Sequence, residues 1–257
     1  RRIKMGSFDQ GLAGAVSLKA VNEWIGIINS NLGGSNRTAY KATRVSFGGG
    51  VAQVYRDPRA EANGVMVPDS TLKVDNTRID YSQGTIIQDG ELTHIAISGD
   101  AFFGVSDGVT TFYTRDGSFR WSVLNGATIL TTAGGLTVLP VGAAIGGNIA
   151  RIGTGATFAV SVTSVNGATS CIAVFRFANN QALKFSKYGS TVFDSVNAGP
   201  AAPVTDVELI QSGLESSNAA LNDTLPELSL AQKLFSAVSK IINVHNTNLD
   251  TVVNLIR

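Results

Sequence analysis

The side chains able to do acid–base or nucleophilic chemistry are few: two histidines, His94 and His245, and one cysteine, Cys171, in 257 residues. A general base, an activated nucleophile or a metal centre needs several such groups brought together. Nothing in their spacing pairs them. His94 falls in an alternating β run and His245 on a helical apolar stripe, so both read as packing residues, with a pH-sensitive contact as the sharper alternative for His245. Cys171 opens the run CIAVFRF at 171–177 and reads as a small buried apolar side chain. Asp100, Asp107 and Asp116 stand beside glycines, as turn geometry asks. Gly153, Thr154 and Gly155 share only the opening spacing of a dinucleotide fingerprint, among turn signals and without a following helix. There is no GxSxG elbow, no HExxH pair and no P-loop lysine. The inventory names no catalytic residue, cofactor site, metal ligand or small-molecule substrate, and it points away from an enzyme.

Composition narrows the partners. Lysine and arginine number 20 against 19 acidic residues, a formal charge of +1, so there is no electrostatic footprint for nucleic acid or an anionic membrane. Only 15% of residues are charged while 44% are hydrophobic. That is little charge for a freely soluble monomer, and it suggests apolar surface facing other protein. No apolar run reaches the roughly 18 residues of a membrane span, and the opening RRIKMGSFDQ shows no secretory signal pattern.

The elements that must position these side chains fall into three stretches, 1–45, 46–205 and 206–257. In the first, Leu18, Val21, Ile25, Ile28 and Leu32 recur at three and four residues, a coiled-coil seam on a helix from about Leu12 that stops at Gly33 and Gly34. In the middle stretch, short β-branched and aromatic runs alternate with Asp-Gly and Asn-Gly turns, which predicts an antiparallel β domain. In the last, Ala231, Phe235, Val238, Ile242, His245, Leu249, Val252 and Ile256 again alternate four and three. Pro226 is expected in the first turn of that helix. Leu234, Ile241, Val244, Val253 and Leu255 lie off the seam, so this helix is apolar on more than one side and needs more than one partner. The fold expected is α+β, with the β domain inserted between terminal helices that pack together as a coiled-coil-like layer.

Several segments resemble signatures of the bacterial flagellar rod and hook family. SNLGGSNRTAYK at 30–41 is similar to its N-terminal block, with Asn31, Leu32, Asn36, Thr38, Tyr40 and Lys41 fitting and Gly33, Gly34 and Ala39 departing. Ser82, Gln83 and Gly84 resemble its serine-glutamine-glycine, and Gly99, Phe102 and Phe103 its glycine and double phenylalanine, with Ala101 where the family has glycine and His94 where it has aspartate. Tyr113, Thr114, Arg115 and Gly117 match the next block, and LTTAGGLTVLP at 130–140 follows it. Leu214, Glu215, Ser217 and Asn218, then Gln232 and Lys240, are similar to the C-terminal signature.

The resemblance implies a rod-type structural subunit of a helical tube, with the helices on the inner wall and the β domain outside. Its partners would be further copies of itself and other axial subunits. Its place would be extracytoplasmic, in the basal body or a surface filament, reached by type III export without signal cleavage. The same fold in a non-motile or non-flagellar tube, or a monomeric surface-binding β module, are the alternatives. Arg115 is expected to bridge a carboxylate or carbonyls, within the domain or at a boundary between neighbouring outer domains.

Overall fold

The computed structural model describes residues 7–49, 53–54, 66–67, 71–124, 127–139, 149–152, 159–163, 169–204 and 207–255. Ile256, Arg1 to Lys4 and the Gly153–Gly155 segment lie outside these. Two long helices, α1 (Ser7–Gly34) and α2 (Leu221–Leu255), bracket a series of mostly antiparallel strands, the expected α+β arrangement. The chain forms two compact units: unit 1 is Arg1–Leu32, Thr43–Arg78 and Leu221–Arg257, and unit 2 is Gly33–Ala42 and Ile79–Ala220.

In unit 1, α1 begins at Ser7, earlier than the apolar period suggests, because Gly14 is used for close approach: a Cβ there would stand 2.8 Å from Ile242 Cγ1. The helices run antiparallel, with Gly14 near Ile242 while Asn22 and Ile25 share a groove of about 270 Å³ with Gln232, Phe235 and Ser236. Helix α2 starts at Leu221, so Pro226 sits inside it rather than in its first turn. A proline there removes the bond that its N–H would give to the carbonyl four residues back and crowds that carbonyl, but both fall in the opening turns, where the helix end can adjust. The ribbon of Thr43–Gly49 and Leu72–Ile79 packs with α1. Ser17 Oγ accepts from Leu72 N at 2.9 Å, and Asn31 brackets Thr43, donating to its carbonyl at 2.8 Å and accepting from its N–H at 2.9 Å. Trp24 meets Phe47 edge to face at 5.2 Å. Alternation alone cannot distinguish this ribbon from the β body, and the three-stretch division therefore differs from the units here.

Unit 2 is built around Phe102–Ser106, which pairs with Thr111–Thr114 on one edge and on the other with Thr137–Val138 and Val174–Arg176. Neighbouring strand residues point to opposite faces. Phe103 therefore enters a core with Ile95, Ile97, Phe112, Phe119 and Val138, while Phe102 enters a second with Tyr113, Phe177 and Phe193. Both phenylalanines are fully buried, so this sheet is covered on both faces. The later strands return to the start: Glu208–Gln211 pairs with Ile95–Ser98, and Gly213–Glu215 with Ile86–Gln88.

Candidate functional site

Of the α1 residues with seam spacing, Val21 and Ile28 are buried, and Leu18, Ile25 and Leu32 are half-buried. The deepest stripe is displaced by one position and includes Ser17 and Asn31. Their polarity hid them from a hydrophobic period, and their hydrogen bonds to Leu72 and Thr43 explain their burial. On α2, Ala231 is buried and Phe235, Val238, Ile242, His245 and Leu249 are half-buried, while Val252 is exposed. Beside this stripe runs a second, exposed one. Leu230, Leu234, Ile241 and Val244 are 52%, 37%, 60% and 60% exposed, and Leu255 reaches 80%. With Ala237 between them they too recur at four and three residues, a second helical seam. Gln232 and Lys240 lie on the exposed side of α2.

The family-like residues of unit 2 converge on a buried polar knot. Segment 39–42 passes between 80–84 and 215–218: Ala39 N donates to Glu215 O at 2.7 Å, Asp80 N to Ala42 O at 2.8 Å, and Asn218 N to Tyr40 O at 3.2 Å. At its centre is the Glu215 carboxylate. Oε1 accepts from Lys41 Nζ at 2.5 Å and from Gly84 N at 2.8 Å, and Oε2 accepts from Arg115 at 3.4 Å. Lys41 also donates to Ser82 O at 2.8 Å. All three charged side chains are essentially inaccessible. Two cations thus share one carboxylate, and burial pushes the pKa of both Lys41 and Arg115 down, opposed in each case by Glu215. The Arg115 guanidinium lies 5.1 Å over the Phe102 ring, and among the described residues its Nε has no partner. Arg115 therefore ties strands within one unit. A role at a boundary between outer domains does not fit a side chain buried this way.

Backbone geometry explains most of the remaining signature residues. Ala39 has φ +54 and is buried, a conformation that suits glycine. A Cβ at Gly34 would overlap the Tyr40 ring at 2.4 Å, at Gly84 the Ser216 carbonyl at 2.1 Å, and at Gly117 the Ile95 carbonyl at 1.6 Å. Gln83 spans the turn, donating to Ile97 O at 3.1 Å and accepting from Gly99 N at 3.0 Å. Thr114 Oγ1 donates to Thr191 O at 2.7 Å, and Ser217 Oγ accepts from Ala219 N at 3.0 Å. Thr38 and Leu214 are half-buried and line a shallow groove. His94 pairs with Asp89 through Nδ1 and holds the 89–94 turn. Asp107 and Asp116 cap turns, Asp107 accepting from Val109 N and Thr110 N and Asp116 from Ser118 N. Asp100 pairs with Arg176 at 2.7 Å.

Helix α2 thus carries an exposed apolar stripe, and the signature residues of the β body tie its own strands. Residues 96–169 match the family model described as the flagellar hook protein FlgE/F/G D1 domain. The flagellar basal-body rod protein FlgG of Bacillus subtilis is 30% identical, over 95% of this chain and 98% of that protein. FlgG of Borreliella burgdorferi is 28% identical over 90% and 92%. The hook protein FlgE of Treponema pallidum is 32% identical over 44% of this chain, which spans 25% of that longer protein. The chain belongs to the flagellar rod and hook protein family.

Proposed function

We propose that this chain is a structural axial subunit that polymerises with copies of itself, and joins other rod or hook subunits, in a helical tube outside the cytoplasm. The observation that carries the reading is the second seam of α2, where Leu230, Leu234, Ile241 and Val244 stand exposed beside a stripe already turned inward. Leaving such a continuous apolar face in water is unfavourable, and a repeated contact between identical subunits covers it in every copy. The seam residues Leu18, Val21, Ile25, Ile28 and Leu32 on α1, and Ala231 to Val252 on α2, then form the helical layer, with the second seam as its outward contact. Rod-type relatives that match along nearly their whole length support a rod position over a hook position. Their structural character also supports a non-enzymatic role.

Sedimentation velocity of the purified full-length chain tests this. Fast-sedimenting polymers should appear above a threshold concentration, and the double variant Leu234→Asp, Ile241→Asp should stay monomeric with unchanged circular dichroism. A wild-type chain that remains a monomer at every concentration, with or without a rod subunit from the same organism, would contradict the reading.

A further inference from the structure

The chain passes out of unit 2 after Ala42, re-enters it at Ile79 and leaves again after Ala220. The residues at these three places are bonded to one another in a closed triangle. Ala42 N donates to Asn218 Oδ1 at 2.7 Å, Asn218 Nδ2 donates to Asp80 O at 2.7 Å, and Asp80 N donates to Ala42 O at 2.8 Å. Asn218 Nδ2 also reaches Ser82 O at 3.0 Å and Ser82 Oγ at 3.2 Å. One amide side chain therefore uses its acceptor on the first exit and its donors on the second, from a position two residues before the third. The asparagine amide offers an acceptor and two donors on one planar group, and glutamine is a methylene too long for these distances.

We propose that Asn218 is a clasp that gathers the three crossings into a single joint, so that they open together rather than one at a time. Without it, the first two crossings keep the Asp80 N–Ala42 O bond between them, and the third is held to the first by Asn218 N to Tyr40 O, so each is freer to open alone. With it, opening any one exit breaks bonds to the other two, and a force arriving along one connector is shared among all three. This is a positioning role in the free chain and does not depend on polymerisation.

The test is hydrogen exchange of the full chain, read in peptides covering 38–44, 77–84 and 215–222. Asn218→Asp keeps the acceptor for Ala42 N but removes both donors and sets a carboxylate against the carbonyls of Asp80 and Ser82. Exchange should rise by about tenfold or more in all three peptides, while Phe102–Ser106 and Thr111–Thr114 keep wild-type protection. The variant Asp107→Asn, which alters only a turn away from these crossings, should leave the three peptides unchanged. A rise confined to one peptide, no rise at all, or an equal loss of protection across the whole β body would overturn the clasp. Should Asn218→Asp fail to fold, the wild-type chain decides: the amides of Ala42, Asp80 and Asn218 should exchange within a few-fold of one another, and a large spread would sink the idea.

Discussion

Replacing Glu215 with glutamine keeps the shape of the knot and removes its only buried negative charge. Lys41 and Arg115, 0% and 2% exposed, would then be two buried cations with no counter-ion at hydrogen-bond distance among the described residues. Breaking a buried pair by deleting one partner costs about 3–5 kcal/mol, because the remaining charge stays desolvated. That is a large part of the roughly 5–15 kcal/mol that holds a domain together. Urea unfolding followed by far-ultraviolet circular dichroism measures it. With a slope of about 1–3 kcal/mol per molar urea, the midpoint should fall by at least about 1 M. Adding Arg115→Met in the Glu215→Gln background removes one stranded cation and should recover at least about 1 kcal/mol, so the two changes are non-additive. Lys41 supplies a pH check. Its folded pKa is lowered from 10.5, so below that value the folded state holds its proton less readily than the unfolded state. Stability therefore rises with pH towards 10.5, and the Glu215→Gln deficit should narrow over that range. A loss under about 1 kcal/mol, or no recovery in the double variant, would refute the account of the knot.

Other outcomes follow from backbone and turn geometry. Gly117→Ala should cost at least about 3 kcal/mol, since its Cβ would lie 1.6 Å from the Ile95 carbonyl. Gly26→Ala meets open space within α1 and should stabilise by about 0.5–1 kcal/mol; thermal melts compare the two. Ala39→Val places a β-branched side chain at φ +54 and should lower the melting temperature by several degrees, whereas Ala39→Gly should leave it level or raise it. The N–H groups of Thr110 and Val109 and the Tyr188 hydroxyl pull the Asp107 carboxyl from 3.8 to about 2. Its contribution is present above 3.8 and lost as pH falls through about 2, so an NMR titration should show the 107–110 turn loosening in that window, and Asp107→Asn should flatten the response.

Helical and strand periods carried the architecture because they report local geometry. The seam of α2 is visible as apolar spacing, and its excess of apolar residues corresponds to the second stripe, which stands exposed. Ser17 and Asn31 escaped because a hydrophobic period is blind to polar side chains that are buried through hydrogen bonds. The knot was legible only as separate family-like segments. Lys41, Arg115 and Glu215 are 74 and 100 residues apart in succession, and nothing local joins them. Arg115 was readable as a bridge to a carboxylate, but not which carboxylate, nor that the bridge is internal. Pro226 misplaced the start of α2 because a proline is tolerated a turn further into a helix than its usual first-turn position.

The exposed second seam of α2 is the contact proposed between copies. Electron micrographs of the purified full-length protein, concentrated with and without a short rod fragment as seed, test it most directly. Filaments with a regular helical diffraction pattern are expected from the wild-type chain, and none from Leu234→Asp, Ile241→Asp at equal concentration. Ordered filaments from that variant, indistinguishable from wild type, would contradict the claim.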